Sequence, residues 1–118
     1  MPTDPPETFR IEYTPEFKRS LRRLARKYRS ILTDVKPLIN QLQRGDLTGN
    51  QVTGTGNTLF KVRVANSDIQ KGKRSGYRII YWVKTSKDII LVTLYSKLDQ
   101  GDISTKQIRQ IIKQFQDL

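Results

Sequence analysis

A chain of 118 residues with 22 Lys and Arg against 11 Asp and Glu, net +11, has room for one thin domain and is biased toward anionic partners. It contains no Cys and no His, which removes disulfides, thiolate metal sites, Cys nucleophiles and the commonest general base near neutral pH. No apolar run is long enough to span a bilayer, and the first residues lack the basic and apolar regions of a signal peptide, so a cytoplasmic location without membrane contact is expected.

Residues 1–7 hold three prolines and no apolar periodicity, which predicts a disordered tail ahead of a single domain over 8–118. The run Phe-Arg-Ile-Glu-Tyr at 9–13 alternates apolar and charged side chains, the pattern of a half-buried strand. Thr14 is placed to cap a helix with Pro15 at its first position, where a helix leaves the N–H unbonded in any case. Phe17, Leu21, Leu24 and Tyr28 then recur at helical spacing over 16–28. Lys18, Arg19, Arg22, Arg23, Arg26, Lys27 and Arg29 cover the remaining faces of that helix. A second helix is expected over 33–43 on the stripe Val35, Leu38, Ile39 and Leu42, stopped by Gly45, so the two form a helical hairpin. The Gly-, Thr- and Asn-rich stretch 45–58 reads as a loop.

Three strands come next. Residues 59–65 send Phe60, Val62 and Val64 one way and Lys61 and Arg63 the other. A polar loop over 66–76, carrying Lys71, Lys73 and Arg74, leads into 77–84, which is apolar on both faces apart from Arg78. Residues 89–95 are again apolar on both faces, so both runs read as central strands. Ser104 and Gln107 have capping-box spacing ahead of a last helix with the stripe Ile108, Ile111, Ile112 and Phe115. The order β-α-α-β-β-β-α describes an α+β fold: an N-terminal strand and helical hairpin packed on a largely antiparallel four-stranded sheet, with a C-terminal helix.

The chemistry is read from the sheet. Lys61 and Arg63 share one face of their strand, and Arg78 would be costly as an unpaired cation inside an apolar strand. Placing Arg78 on the same open face as Lys61 and Arg63 resolves that cost. Lys71, Lys73 and Arg74 in the connecting loop and Lys97 after the last strand would add to a cationic concavity. By parity Trp82 lies with Arg78 and is the candidate to stack a base, with ordinary sheet packing as the competing reading. Tyr77 and Tyr81 fall on the opposite, core side.

A basic groove with an aromatic suits single-stranded RNA, whose phosphates take guanidiniums and whose bases stack on rings. Without His or a convincing carboxylate cluster, the cleavage reaction open to such a groove is attack by the RNA's own 2′-hydroxyl on the adjacent phosphate. Cations would stabilise the charge developing at phosphorus, with no cofactor and no metal. Neighbouring positive charge is expected to lower the pKa of a Lys or Tyr and so activate a base. Asp99 and Asp102, flanking Gly101, are expected to interact with the N-terminus of the last helix and not to hold a metal. The Gly54-Thr-Gly56 stretch lacks the strand–loop–helix context of a phosphate loop.

Four segments, in order, resemble the RelE/ParE family of bacterial toxins: Thr14-Pro-Glu-Phe-Lys-Arg-Ser-Leu-Arg-Arg-Leu24, Phe60-Lys-Val-Arg-Val64, Ser75-Gly-Tyr-Arg-Ile-Ile-Tyr81 and Leu94-Tyr-Ser-Lys-Leu-Asp99. The resemblance, closer to the RelE-like members, implies the toxin half of a type II toxin–antitoxin pair, inhibited by a cognate antitoxin. RelE-like members are ribosome-dependent endoribonucleases (mRNA interferases) that cut messenger RNA without a metal; ParE-like members poison DNA gyrase instead. Carried over, Lys61, Arg63 and Arg78 would hold the scissile phosphate. Leu98 stands where RelE has a further Arg, and Ser104 near its helix Tyr; Lys97 and Tyr95 are the candidates to replace them. Three readings stay open: a messenger-RNA endonuclease acting on the ribosome, a gyrase poison without nuclease activity, and an inactive antitoxin-binding member.

Overall fold

A computed structural model describes residues 8–69 and 75–117. The tail expected over 1–7 and the loop cations Lys71, Lys73 and Arg74 lie outside them.

The elements run β1 (Arg10–Tyr13), α1 (Pro15–Lys27), α2 (Ile31–Gln43), β2 (Asn50–Val52), β3 (Leu59–Val64), β4 (Tyr77–Val83), β5 (Asp88–Ser96) and α3 (Thr105–Gln116). The strands form one sheet in the order β1-β5-β4-β3-β2. Among the described residues only the β1–β5 pairing is parallel. Thr14 caps α1 by accepting from the Phe17 N–H, with Pro15 in the first turn as the spacing predicts.

Where four strands are expected, the sheet has five among the described residues. The extra one, β2, lies inside the stretch read as a loop and pairs with β3. Three residues are too few for alternation to show. The device that allows it is Gly49, at φ +107, where a Cβ would stand 2.6 Å from the Lys61 carbonyl oxygen. A glycine there lets the chain close onto the β3 edge.

The sheet separates two cores. On one face the hairpin lays Phe17, Leu24, Tyr28, Ile31, Val35, Leu38 and Leu42 against Val62, Tyr77, Ile79, Tyr81, Ile89, Leu91 and Leu94. On the other, Ile108 and Ile112 of α3 pack with Leu59, Ile80, Trp82, Ile90, Val92 and Tyr95. Burying each of those two isoleucines contributes about 2 kcal/mol toward holding α3 down. The face expected to be open is therefore partly roofed by the last helix.

An irregularity in β5 decides which of its side chains reach that roofed face. Ile80 pairs with Thr93 but Tyr81 pairs with Leu91, so β5 carries one extra residue, Val92, at a bulge. Before it, even-numbered β5 residues face α3; after it, odd-numbered ones do. Tyr95 thereby joins Ile90 and Val92 on the α3 side, while Leu94 joins Ile89 and Leu91 under the hairpin.

Candidate functional site

Register places the charged residues in rows across the sheet. Arg63 pairs with Arg78, and Arg78 with Tyr95, so these three stand side by side on the α3 face. The next row is Asn50, Lys61, Ile80 and Thr93, and the one beyond is Leu59, Trp82 and Ile90. Helix α3 covers the apolar members and leaves the charged end of the face uncovered.

There Asn50, Lys61, Arg63, Arg78, Lys97 and Asp102 line a recess of about 90 Å³. That is the room of about three waters, enough for a phosphate group but not for a nucleoside. Arg63 is exposed, and Lys61 and Lys97 keep about a third of their side-chain surface open. Arg78 is 5% exposed and forms the floor, its guanidinium donating to the carbonyls of Gly76 (3.5 Å) and Tyr77 (3.3 Å). Lys97 is fixed by its backbone N–H to the same Gly76 carbonyl, at 3.0 Å. Gly76 has to be glycine, since a Cβ would lie 2.1 Å from the Val64 carbonyl oxygen. The strand entry thus presses against the end of β3, bringing Arg78 level with Arg63.

Lys61, Arg63, Arg78 and Lys97, expected from the sequence, are brought together, while Tyr95 is buried behind them and meets the recess through its hydroxyl on Asp102. Asn50 and Asp102 are the two lining residues that sequence reasoning does not place here. Asp102 Oδ1 accepts from Lys97 Nζ at 2.9 Å and from the Tyr95 hydroxyl at 3.3 Å, and lies 3.7 Å from Lys61 Nζ. The cations hold its carboxyl below the ordinary carboxylate range: the Lys97 hydrogen bond contributes most, with the charges of Lys61 and Lys97 and the Tyr95 bond behind it.

Several expectations are corrected. Tyr95 is not activated by its cationic surroundings: burial raises its pKa, helped by Asp102, and outweighs the lowering from the Ile103 backbone bond and Arg78. It is a neutral phenol, fit to donate a proton and not to remove one. Trp82 shares the face of Arg78 but is 6% exposed within the α3 core, with Lys84 Nζ 5.8 Å from its ring, so it has no open face for a base. Neither aspartate caps the last helix. Asp99 pairs with Lys27 and accepts from Tyr28, while Asp102 turns into the recess. The capping belongs to Ser104 and Gln107, which bond reciprocally. Ser104 is committed to that role and does not face the recess, and Leu98 offers only an exposed alkyl chain.

A larger cavity, about 330 Å³, lies between α1, β5 and α3, among Ser20, Gln100, Gln107 and Gln110. Its lining carries one cation, Arg23, and one carboxylate, Glu16, which is itself paired with Arg19, so it lacks the cluster of cations found in the recess. Among the described residues no group of three or more acidic side chains is placed to hold a metal ion, and no helix is long and apolar enough to cross a membrane.

The ordered segments, the hairpin packed on a mostly antiparallel sheet and the cations converging from β3, β4 and the end of β5 agree with the comparison against known families. Residues 14–117, from the α1 cap to the α3 cap, match the model of the RelE toxin of the RelE/RelB toxin–antitoxin system, and the chain belongs to that family.

Proposed function

We propose that this RelE-family toxin is an endoribonuclease that cuts messenger RNA in the cytoplasm, on the ribosome, without a metal cofactor. The observation that carries the reading is the recess itself: four cations from three parts of the sheet around a volume fit for one phosphate. Lys61, Arg63 and Arg78 grip the scissile phosphodiester and stabilise the charge that builds on its non-bridging oxygens, with Lys97 assisting. The adjacent 2′-hydroxyl oxygen attacks phosphorus and the bond to the 5′-oxygen breaks. A 2′,3′-cyclic phosphate and a 5′-hydroxyl result, the 2′-hydroxyl proton passing to solvent water and one being gained by the leaving oxygen. Tyr95, kept neutral by burial, is suited to give that second proton. Lys71, Lys73 and Arg74, which lie between β3 and β4 in the sequence, add positive charge for flanking phosphates. A cognate antitoxin, the partner that the family implies, blocks this face.

The test is end-mapping of messenger RNA incubated with purified protein, on programmed ribosomes and free. Cuts bearing cyclic phosphate and 5′-hydroxyl ends are expected, with Lys61→Ala slowing cutting by about 10² and Tyr95→Phe by a similar factor at unchanged RNA affinity. Intact message together with blocked gyrase supercoiling would replace this reading by the gyrase poison, which exposed Leu98 in place of an Arg favours. Intact message with gyrase unaffected leaves the inactive antitoxin-binding member.

A further inference from the structure

Asp102 engages the donors that a phosphate entering the recess would use. A single oxygen, Oδ1, meets Lys97 Nζ at 2.9 Å, the Tyr95 hydroxyl at 3.3 Å and Lys61 Nζ at 3.7 Å. That is the convergence of donors a phosphate oxygen would find. The fold does not otherwise need the carboxylate there. The α3 N-terminus is closed by Ser104 and Gln107, and the turn before it is held by the N–H groups of Asp99 and Gln100 on the Ser96 carbonyl. The side chain is 55% exposed, so it can rotate into solvent without disturbing either core. Asp102 forms one wall of the recess of about 90 Å³, so a phosphodiester entering it meets this carboxylate on the donors it would itself use.

We propose that Asp102 is an internal counter-anion: it engages the donors of the phosphate seat in the free protein and is displaced from them by the scissile phosphodiester, so that it sets how strongly the seat takes RNA. The proposal rests on the recess being that seat and deepens the nuclease reading. Lys61 and Lys97 exchange one anionic partner for another, and a monovalent anion offers them no more than Asp102 already does. A ligand whose neighbouring phosphate also reaches Arg63 gains a contact that the carboxylate does not make. The counter-anion therefore selects polyanions over single small anions.

Calorimetry with inorganic pyrophosphate, and with a fully 2′-deoxy single-stranded oligonucleotide that cannot be cut, tests this on Asp102→Asn and Asp99→Asn. At low ionic strength Asp102→Asn should bind both roughly five- to tenfold more tightly than the parent. Asp99→Asn removes the same charge from the Lys27 pair and should leave both affinities unchanged. Equal tightening in the two variants would reduce the effect to net charge. Unchanged, weaker or absent pyrophosphate binding in Asp102→Asn would make the carboxylate a support and not an occupant. Either result overturns the proposal. Messenger-RNA cutting, measured alongside, separates the two readings: tightening without cutting keeps the counter-anion and ends the nuclease, and cutting without tightening does the reverse.

Discussion

Arg63 and Arg78 face each other in register on neighbouring strands, an arrangement that costs stability and that a phosphate would relieve. Replacing the exposed member, Arg63→Gln, keeps much of the length and hydrogen-bonding capacity of the side chain while removing one of the two charges. Like charges directly opposite each other in a sheet cost about 0.2–1 kcal/mol, and exposure of Arg63 to solvent argues for about 0.5. For 118 residues the unfolding entropy is about 0.25 kcal/mol/K, so the expected gain in Tm is about 2 °C. RNA cutting should fall by about 10–10² over the same substitution, because a transition-state contact is lost. Thermal denaturation by circular dichroism at low and high salt, beside a cleavage assay on one preparation, reads both. The Tm gain should shrink as salt screens the pair. A lower Tm at low salt would show that the guanidiniums are not in conflict, and unaltered cutting would show that Arg63 does not touch the phosphate.

Trp82, the one tryptophan of the chain, should emit at short wavelength and keep its emission when the uncuttable oligonucleotide saturates the recess; quenching on binding would restore it as a stacking residue. Trp82→Ala should cost about 3–5 kcal/mol of stability in urea unfolding, the cost of a hole under α3. Burial pushes the Tyr81 phenol up to about 12, and its hydroxyl donates to the Thr48 carbonyl. Its folded pKa exceeds its unfolded one, so the stability it contributes is intact below about pH 10 and is lost as pH rises toward about 12. Tyr81→Phe should cost about 1 kcal/mol at neutral pH and flatten that part of the alkaline decline in urea midpoints; an undiminished decline would place the loss elsewhere.

The alternation of Phe60, Val62 and Val64 against Lys61 and Arg63 is enough to assign the two faces of β3, and the cost of a lone charge in an apolar strand is enough to align Arg78 with them. Those arguments hold because strand parity is local. Parity fails where the backbone gains a residue. Val92 at the bulge reverses which β5 side chains face α3, and no feature of the run Ile-Ile-Leu-Val-Thr-Leu-Tyr at 89–95 marks the position. The place of Tyr95 is therefore not legible, although the residue is a candidate. Trp82 shows a second kind of gap: its face follows from parity, but its cover depends on where the stripe of α3 docks, a long-range choice between two apolar sheet faces. Asp102 escapes for a third reason. A carboxylate ahead of a helix has a good local explanation, and only the spatial approach of Lys61, forty-one positions earlier (102 less 61), displaces that explanation.

The cations and their carboxylate are built on different kinds of support, and that difference explains why a like-charged row survives in the fold. Arg78 sits on β4, whose neighbouring residues anchor both cores: Tyr77, Ile79 and Tyr81 under the hairpin, Ile80 and Trp82 under α3. Repulsion between Arg63 and Arg78 cannot be relieved by parting the strands without opening two packed layers, a loss of many kcal/mol against a repulsion of about 0.5. An anion brought to the row offers a further relief. The turn between β5 and α3 supplies one that can withdraw, since its ends are pinned while the Asp102 side chain remains half in solvent. Rigid cations and a movable carboxylate together make a seat that is formed before the ligand arrives and already holds a replaceable charge.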